Sequence, residues 1–306
     1  MRTFIFVVMI LSMTQAFCTG VTEKPVNIQE FDLKDINDIV ISYKSGNVTL
    51  LKSSNDSLVI KEYLSKDNKM YYARIRSSDK KLSVKAGRRP IALLFDTFTS
   101  RIEVYIPVSN RTLTVRTTSG KIEGNDEYVS STVNMESSSG TISINSIKAM
   151  RVNLKTISGS IRCKKVNGNT SLYTDNGSIN LLKLYGNVLA RTSNGNIKLG
   201  SVSGNIDAKV FSGCFNGTIT ENSGDVSITS SSGNITLNIP EKNKFRFQSR
   251  TSSGSLRTPF PDKLSSPIVD KQTVQGIICD GSPEGQNLKN VNIMTASGSI
   301  KINWTH

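Results

Sequence analysis

Apolar and polar residues alternate along most of this chain with a period of two, which is typical of β-strands with one buried face. In the central part the alternation restarts after glycines that fall at nine-residue intervals over residues 159–213. Isoleucine stands two places after every other glycine, as at Ile161, Ile179 and Ile197. Because the glycines alternate between two sequence contexts, the repeating unit is about eighteen residues, with two strands and two turns.

This unit predicts an all-β protein built as a parallel β-solenoid, a β-helix-like fold in which each unit forms one coil of about 18 residues. An antiparallel meander is the alternative, in which the Asn-Gly pairs would form hairpin turns. The solenoid accounts for more of the pattern, because residues one coil apart become neighbours at about 4.8 Å. Matching isoleucines then stack, and Thr156, Thr174 and Thr192 form a ladder of hydroxyl groups.

The same register assigns a direction to the side chains of the repeat. Cys163 shares a column with Leu181 and Leu199, which predicts a buried, apolar role for its thiol. Charged residues fall between the inward positions and are expected to face solvent. These charged residues are Lys155, Arg162, Lys198, Asp207 and Lys209.

Interruptions of the repeat divide the chain. Residues 26–112 alternate without a clean repeat, which predicts a β-rich N-terminal cap or an elaborated first coil. Residues 113–304 form the solenoid repeat region, with a long irregular connection at 257–289 that holds four of the eight prolines. Two candidate turn glycines, Gly213 and Gly217, predict a small insertion with a cysteine near its tip.

The N-terminus has the three regions of a secretory signal peptide, which are Arg2, an apolar run over residues 4–13 and the small-residue site Thr14-Gln15-Ala16. We expect residues 1–19 to be removed on export, which indicates a secreted or cell-envelope protein. A lipid anchor at Cys18 is disfavoured, because a lipid-modified cysteine normally follows a small residue and this one follows phenylalanine. No later segment approaches the roughly eighteen apolar residues of a transmembrane helix.

Basic residues outnumber acidic ones, 38 to 24, and give a net charge of +14. Such a surplus favours an anionic partner, such as a cell-wall polymer, a glycan, an envelope protein or lipid head groups. The alternative is a solvated basic surface with no dedicated partner. Nucleic acid is disfavoured, because an exported protein rarely meets it and no nucleic-acid motif interleaves the charges. The densest cluster, a candidate anionic-ligand patch, is Lys80, Lys81, Lys85, Arg88 and Arg89.

Three cysteines follow the predicted signal peptide, too few for a scaffold built on disulfides. Cys163 and Cys214 are separated by nearly three coils, about 14 Å at the strand spacing, which is beyond disulfide reach. If one bridge forms, we expect it to join Cys214 and Cys279.

The sole histidine is His306, so a Ser-His-Asp triad, a Cys-His pair and a histidine-rich metal site all lack their base or ligand. We therefore predict no catalytic residues, no metal site and no cofactor. A carboxylate-based, polysaccharide-active β-helix enzyme is the remaining catalytic alternative, because two acids suffice for glycoside hydrolysis. Asp207 and Asp225, which flank the interruption after Gly213, are the acids that it would use.

The recurrent motif is Ser-Gly, then Asn, Ser or Lys, then Ile or Val, and it follows strand-like segments at residues 101–107 and 113–117. In this the chain resembles the bacterial putative-adhesin family, a domain of unknown function built as a repetitive β-helix-like solenoid, over residues 40–304. The resemblance implies binding at the cell surface or envelope and supplies no catalytic residues. We expect a noncatalytic adhesin-like protein whose solenoid surface binds a polymer or protein. A purely structural envelope module is the alternative.

Overall fold

The computed structural model describes residues 24–89, 98–279 and 288–305. The predicted signal peptide, Cys18 and His306 lie outside these residues. The described chain forms 25 strands and two short 3-10 helices and contains no α-helix, which confirms the all-β prediction. Neither helix is long and apolar enough to cross a membrane.

The chain divides into two compact units, with the boundary after Met150. The first unit contains the strands before the regular repeat and the first coils. Its elements are β1 (Asn27–Asp32), β2 (Asp38–Ser45), β3 (Asn47–Lys52), β4 (Ser57–Leu64), the 3-10 helix η1 (Lys69–Tyr71), β5 (Arg74–Ser78), β6 (Lys81–Lys85), β7 (Ser100–Ile106), β8 (Thr112–Ser119), β9 (Ile122–Val129), β10 (Thr132–Ser137) and most of β11 (Ile142–Thr156).

The second unit contains the rest of β11 and the most regular coils. Its further elements are β12 (Ile161–Asn176), β13 (Ile179–Tyr185), β14 (Val188–Asn194), β15 (Ile197–Ser203), β16 (Ile206–Ser212), β17 (Phe215–Ile219), β18 (Val226–Ser232), β19 (Ile235–Pro240), β20 (Phe245–Ser253), β21 (Leu256–Arg257), the 3-10 helix η2 (Pro261–Lys263), β22 (Ser265–Val269), β23 (Thr273–Ile278), β24 (Lys289–Ser297) and β25 (Ile300–Thr305).

The first unit already has the solenoid pattern, with parallel strands in two rows. One row joins β2, β8 and β10, where Ile39 pairs with Leu113 and Leu113 with Val133. The other joins β3, β9 and β11, where Val48 pairs with Ile122. The coil formed by β2 and β3 is therefore an early copy of the repeat, and the strands β4 to β7 separate it in sequence from the next copy.

These intervening strands extend both rows of the first unit. In one row β7 pairs in parallel with β3, β4 pairs antiparallel with β7, and β1 pairs antiparallel with β4. In the other row β6 pairs in parallel with β2, and β5 pairs antiparallel with β6. Among these antiparallel pairs, only β5 and β6 are joined by a tight two-residue turn, which suffices for adjacent antiparallel strands.

Coils of eighteen residues make up the centre of the second unit, as predicted. On its first face Ile161 in β12, Ile179 in β13 and Ile197 in β15 pair in parallel, and the row continues through β17, β19 and β25. On its second face the later half of β12 pairs with β14, followed by β16, β18, β24 and β20. The parallel register of both faces confirms the solenoid prediction over the meander.

Inward side chains of both faces form the core of the second unit. Ile161, Ile179 and Ile197 are at most 1% exposed, in the stack that the sequence predicts. Cys163 is 3% exposed and pairs in register with Leu181. Its predicted apolar environment is therefore confirmed.

Glycine and asparagine have structural roles at the corners between strands. Gly186 has a φ of +135°, and a Cβ at this position would lie 2.5 Å from the carbonyl oxygen of Gly168, so a larger residue is excluded. The asparagine after a corner glycine accepts a hydrogen bond from the next coil. Asn187 Oδ1 accepts one from the N–H of Asn205 (2.9 Å), and Asn205 Oδ1 accepts one from the N–H of Asp225 (2.8 Å).

The predicted insertion at the two neighbouring glycines is misplaced. Gly213 is a corner glycine (φ +136°), but Gly217 is buried inside β17, where a Cβ would meet the ring of Phe215. Cys214 therefore lies at an ordinary corner. The coil is lengthened instead between Phe215 and Val226, which are 11 residues apart where the regular half-coil has nine.

The predicted irregular connection at 257–289 contains regular structure. Within it β22 pairs antiparallel with β23, and β23 pairs antiparallel with β20. The chain then returns to the stack, where β24 pairs on one side with β18 and on the other with β20. The copy of the repeat that comes last in sequence thus lies between two earlier copies.

Candidate binding surface

Four cations share one side of the β5–β6 hairpin in the first unit. In β5 the exposed cations are Arg74 and Arg76, and in β6 they are Lys81 and Lys85. The residues that alternate with them in β6, Leu82 and Val84, are buried. Arg74 pairs directly with Lys85 in the register of the hairpin. Like charges in directly opposed positions destabilise paired strands. We call these four residues the cationic hairpin, a site at which an anion would reduce that repulsion.

The turn of this hairpin has an uncommon backbone conformation. Asp79 (φ +47°) and Lys80 (φ +62°) are both left-handed, as a two-residue hairpin turn requires, although glycine or asparagine usually fills such positions. The Lys80 carbonyl oxygen accepts hydrogen bonds from the N–H groups of Asn37 (2.7 Å) and Asp38 (3.1 Å). The backbone of Lys80 therefore fixes the hairpin to the start of β2, and its side chain is exposed.

Arg89 does not belong to this surface, contrary to the sequence prediction. Its Nη1 donates a hydrogen bond to the carbonyl oxygen of Tyr71 (3.0 Å), and its guanidinium carbon lies 4.9 Å from the centre of the Phe98 ring. Its Nε and Nη2 are buried and have no hydrogen-bond partner among the described residues. Burial lowers the pKa of Arg89, and attraction to Glu62 raises it. The other four predicted residues, Arg88 included, are exposed.

Glu62 is a fully buried carboxylate in β4. It accepts hydrogen bonds from Asn27 Nδ2 (2.7 Å), the Tyr43 hydroxyl (3.2 Å) and the Ala73 N–H (2.7 Å). Burial raises the pKa of Glu62, while these hydrogen bonds and the charge of Arg89 lower it. The three donors come from different segments, so Glu62 joins the chain after η1 to strand β2 and to β1.

The candidate catalytic acids occupy two different kinds of position. Asp207 faces outward on the second face, with Oδ2 3.8 Å from Arg191 Nη2. Asp225 is a corner residue, because its Oδ1 accepts a hydrogen bond from the N–H of Asn290 (2.7 Å) and its own N–H donates to Asn205. It takes the place of an asparagine in the corner ladder. Among the described residues, no three His, Cys, Asp or Glu side chains come together as a metal site.

The sequence of the chain matches the Toastrack DUF4097 family over residues 36–303. The chain belongs to this family. Membership confirms the resemblance found from the Ser-Gly motifs, and the family is a domain of unknown function. No curated protein matches the chain.

Solved structures similar to this Toastrack chain come from Bacteroides, Parabacteroides and Clostridium species. A putative adhesin from Bacteroides fragilis is 14% identical, with 93% of this chain and 98% of that chain covered and a TM-score of 0.46. A putative adhesin from Parabacteroides distasonis is 13% identical, with 90% and 96% covered and a TM-score of 0.39. A putative cell adhesion protein from Clostridium sporogenes is 11% identical, with 91% and 98% covered and a TM-score of 0.28.

The Toastrack coils keep the cysteines of the second unit apart. From Cys163 to the corner of Cys214 the register passes through β12, β13, β15 and β17, three spacings or about 14 Å, as the sequence predicts. Cys214 follows β16, and Cys279 follows β23. Between these two strands, the order of pairing is β16, β18, β24, β20 and β23. These four spacings amount to about 19 Å, so the structure does not bring Cys214 and Cys279 together.

Sequence reasoning missed Arg74 and Arg76, which the hairpin places beside the lysines. The signal was present as two alternating segments, Arg74–Ser78 and Lys81–Lys85, on either side of Asp79 and Lys80. The sequence did not predict a hairpin here, because the turn lacks the Asn-Gly or Asp-Gly pair that normally marks a two-residue hairpin.

Proposed function

We propose that this Toastrack protein is a noncatalytic, exported, adhesin-like protein of the cell surface or envelope that binds an anionic polymer or protein. The observation that carries the proposal is the cationic hairpin, where four exposed cations lie on one side of two paired strands. Its charge complements acidic wall polymers and glycans. The net charge of +14 and the repetitive, in-register sides of the parallel coils also support a binding role.

A purely structural envelope module is the second candidate. It is favoured by the corner ladder, in which the repeated polar side chains of Asn187, Asn205 and Asp225 bond to backbone groups of neighbouring coils. The oxygen atoms that accept these bonds already have partners within the protein and are less available to a ligand. The same bond weakens the case for a carboxylate-based enzyme, since Asp225 already has a structural partner.

Binding of the full chain to an insoluble bacterial cell-wall fraction tests the proposal. The variant carries Arg74→Ser, Arg76→Ser, Lys81→Ser and Lys85→Ser. The matched control removes four other exposed cations of the first unit, Lys44, Lys52, Lys121 and Lys148, so that both variants have the same net charge. We expect the hairpin variant to be lost from the wall pellet and the control to remain in it.

Equal retention of both variants would overturn the assignment to the hairpin. Failure of the wild-type chain to bind any wall fraction would favour the structural module. Release of reducing sugar from the wall polymer by the wild type, abolished by Asp207→Asn or Asp225→Asn, would establish the enzyme instead.

A further inference from the structure

A second cationic surface lies on the first face of the second unit. Five exposed cations occupy outward positions of three neighbouring strands, β12, β13 and β15. None of the residues of these strands on this face, 161–167, 179–185 and 197–203, is acidic. We call the set the cationic face, and its members are Arg162, Lys164, Lys165, Lys183 and Lys198.

The second face of the same coils is electrically balanced. Its outward charges are Arg191 and Lys209 against Asp175 and Asp207, two of each sign. The surplus of five positive charges is therefore confined to one side of these coils. A uniformly basic, solvated surface would not produce this segregation, whereas a surface directed at an anionic ligand would.

The register sets the spacing of the cations. Lys165 pairs directly with Lys183, at about 4.8 Å between strands. Arg162 and Lys198 lie on either side of Asn180, two spacings or about 10 Å apart. None of the five cations forms an ion pair with a described residue. No acidic partner among the described residues thus offsets their mutual repulsion, and a ligand with repeated anionic groups would relieve it.

An exposed aromatic ring and two short serine side chains lie next to these cations. Tyr185 is 49% exposed, and Lys165 Nζ lies 6.0 Å from the centre of its ring. On the next strand, β15, the short side chains of Ser201 and Ser203 pair with Lys183 and Tyr185. The ring therefore stands beside short side chains, where a flat, partly apolar group such as a sugar ring can lie against it.

We infer that the cationic face binds a linear acidic polysaccharide. This inference rests on the proposed function, because it assumes a noncatalytic binding role, but it names the ligand class and a different site. A protein partner fits less well, because interface cores are depleted in lysine and enriched in apolar anchors. Here five cations accompany two exposed large apolar residues, Tyr185 and Leu182.

Binding of the full chain to immobilised polygalacturonate and dextran sulfate tests the inference, with neutral dextran, polyglutamate and phosphatidylserine vesicles as comparisons. The test variant carries Lys165→Ser and Lys183→Ser. Serine is chosen because the residue that pairs with Lys183 on the next strand is Ser201. The matched control is Arg191→Ser with Lys209→Ser on the balanced face, which removes the same charge. Equal melting temperatures establish that the variants are folded.

We expect the test variant to bind acidic polysaccharide roughly tenfold or more weakly than wild type, from the loss of two contacts between cations and anions. The control should change by about twofold at most, because only screened, long-range attraction is lost. Equal losses in the two variants would mean that net charge alone governs binding and would overturn the inference. Tighter binding to polyglutamate or to vesicles than to both polysaccharides would overturn the ligand class.

The two proposals fail in distinguishable ways. If the wild-type chain binds the wall fraction but neither acidic polysaccharide, the inference is wrong and the proposed function stands. If it binds acidic polysaccharide through Lys165 and Lys183 but binds no wall fraction, the inference stands and the proposed envelope function is wrong. Loss of polysaccharide binding in the hairpin variant alone would also overturn the assignment to the cationic face.

Discussion

Thr174 Oγ1 donates a hydrogen bond of 2.8 Å to the carbonyl oxygen of Gly159 in the preceding coil. Thr192 makes the equivalent bond to Gly177, at 3.0 Å. Both threonines are buried and pair with each other in register. In the predicted ladder of hydroxyls, Thr174 and Thr192 therefore each satisfy the carbonyl of a corner glycine.

Thr174→Val is expected to lower the free energy of unfolding by about 1–2 kcal/mol, because it leaves the half-buried carbonyl of Gly159 without this donor. Thr174→Ser, which keeps the hydroxyl, serves as the control and should lose less. Urea denaturation measures both. A valine variant as stable as wild type would show that the carbonyl finds another partner.

Gly186→Ala is expected to destabilise the second unit by about 2 kcal/mol or more, because alanine is strained at positive φ. The added Cβ would also lie 2.5 Å from the carbonyl oxygen of Gly168. Ser201→Ala, on a neighbouring strand, is the control and should change stability little. A shift below about 0.5 kcal/mol in denaturant unfolding for Gly186→Ala would contradict the corner geometry, since surface changes alone reach that size.

Asp225→Asn is expected to be nearly neutral and Asp225→Ala to cost about 1–2 kcal/mol, because only asparagine keeps an oxygen that accepts from the Asn290 N–H. Thermal unfolding of the two variants in parallel measures the difference. Equal stability of the alanine and asparagine variants would mean that the corner bond contributes nothing.

Glu62 is expected to make stability depend on pH. Burial raises its pKa above the value of about 4.3 in the unfolded chain. Between these two values the folded state holds more protons than the unfolded state, so the contribution of Glu62 is fully present below the unfolded pKa. It is lost as pH rises through the folded pKa.

The comparison with Glu62→Gln isolates this titration, because glutamine keeps the size and one acceptor oxygen of glutamate. The stability of wild type relative to the variant should fall as pH rises from about 4 and level off above the folded pKa. Urea unfolding at a series of pH values measures this. A relative stability that rises over the same range would reverse the sign of the shift.

Native alkylation is expected to modify Cys214 first, because it is exposed, and Cys163 only after unfolding, because it is buried. Reactivity of a thiol requires access to solvent as well as a thiolate. Mass spectrometry of peptides prepared without reductant measures both labelling and bridging. A bridge between Cys214 and Cys279 would contradict the separation of about 19 Å that the strand order gives.

The coil length, the isoleucine stack and the burial of Cys163 could be predicted because each depends on local sequence. A corner needs glycine at positive φ, so glycine spacing reveals coil length. The outward direction of Arg162 and Lys198 follows from the same alternation. Their grouping with Lys164, Lys165 and Lys183 into one face required the strand register.

Other features could not be predicted, because they depend on contacts between segments distant in sequence. Arg89 belongs by sequence to a basic cluster, yet its guanidinium is half-buried against Tyr71 and Phe98. The copies of the repeat that begin at Val226 and Val291 carry the same pattern. Nothing in that pattern states which copies are neighbours in the stack.

The insertion of β24 between β18 and β20 has a consequence for folding. Asn290 bonds to Asp225 across 65 residues of chain, where regular neighbours are 18 apart. Closing the longer loop costs about 1 kcal/mol more in chain entropy, so this coil is expected to dock last. Until it does, β18 and β20 each present an unpaired strand edge, the kind of surface on which other chains assemble. The step most exposed to aggregation is therefore the filling of a gap inside the stack.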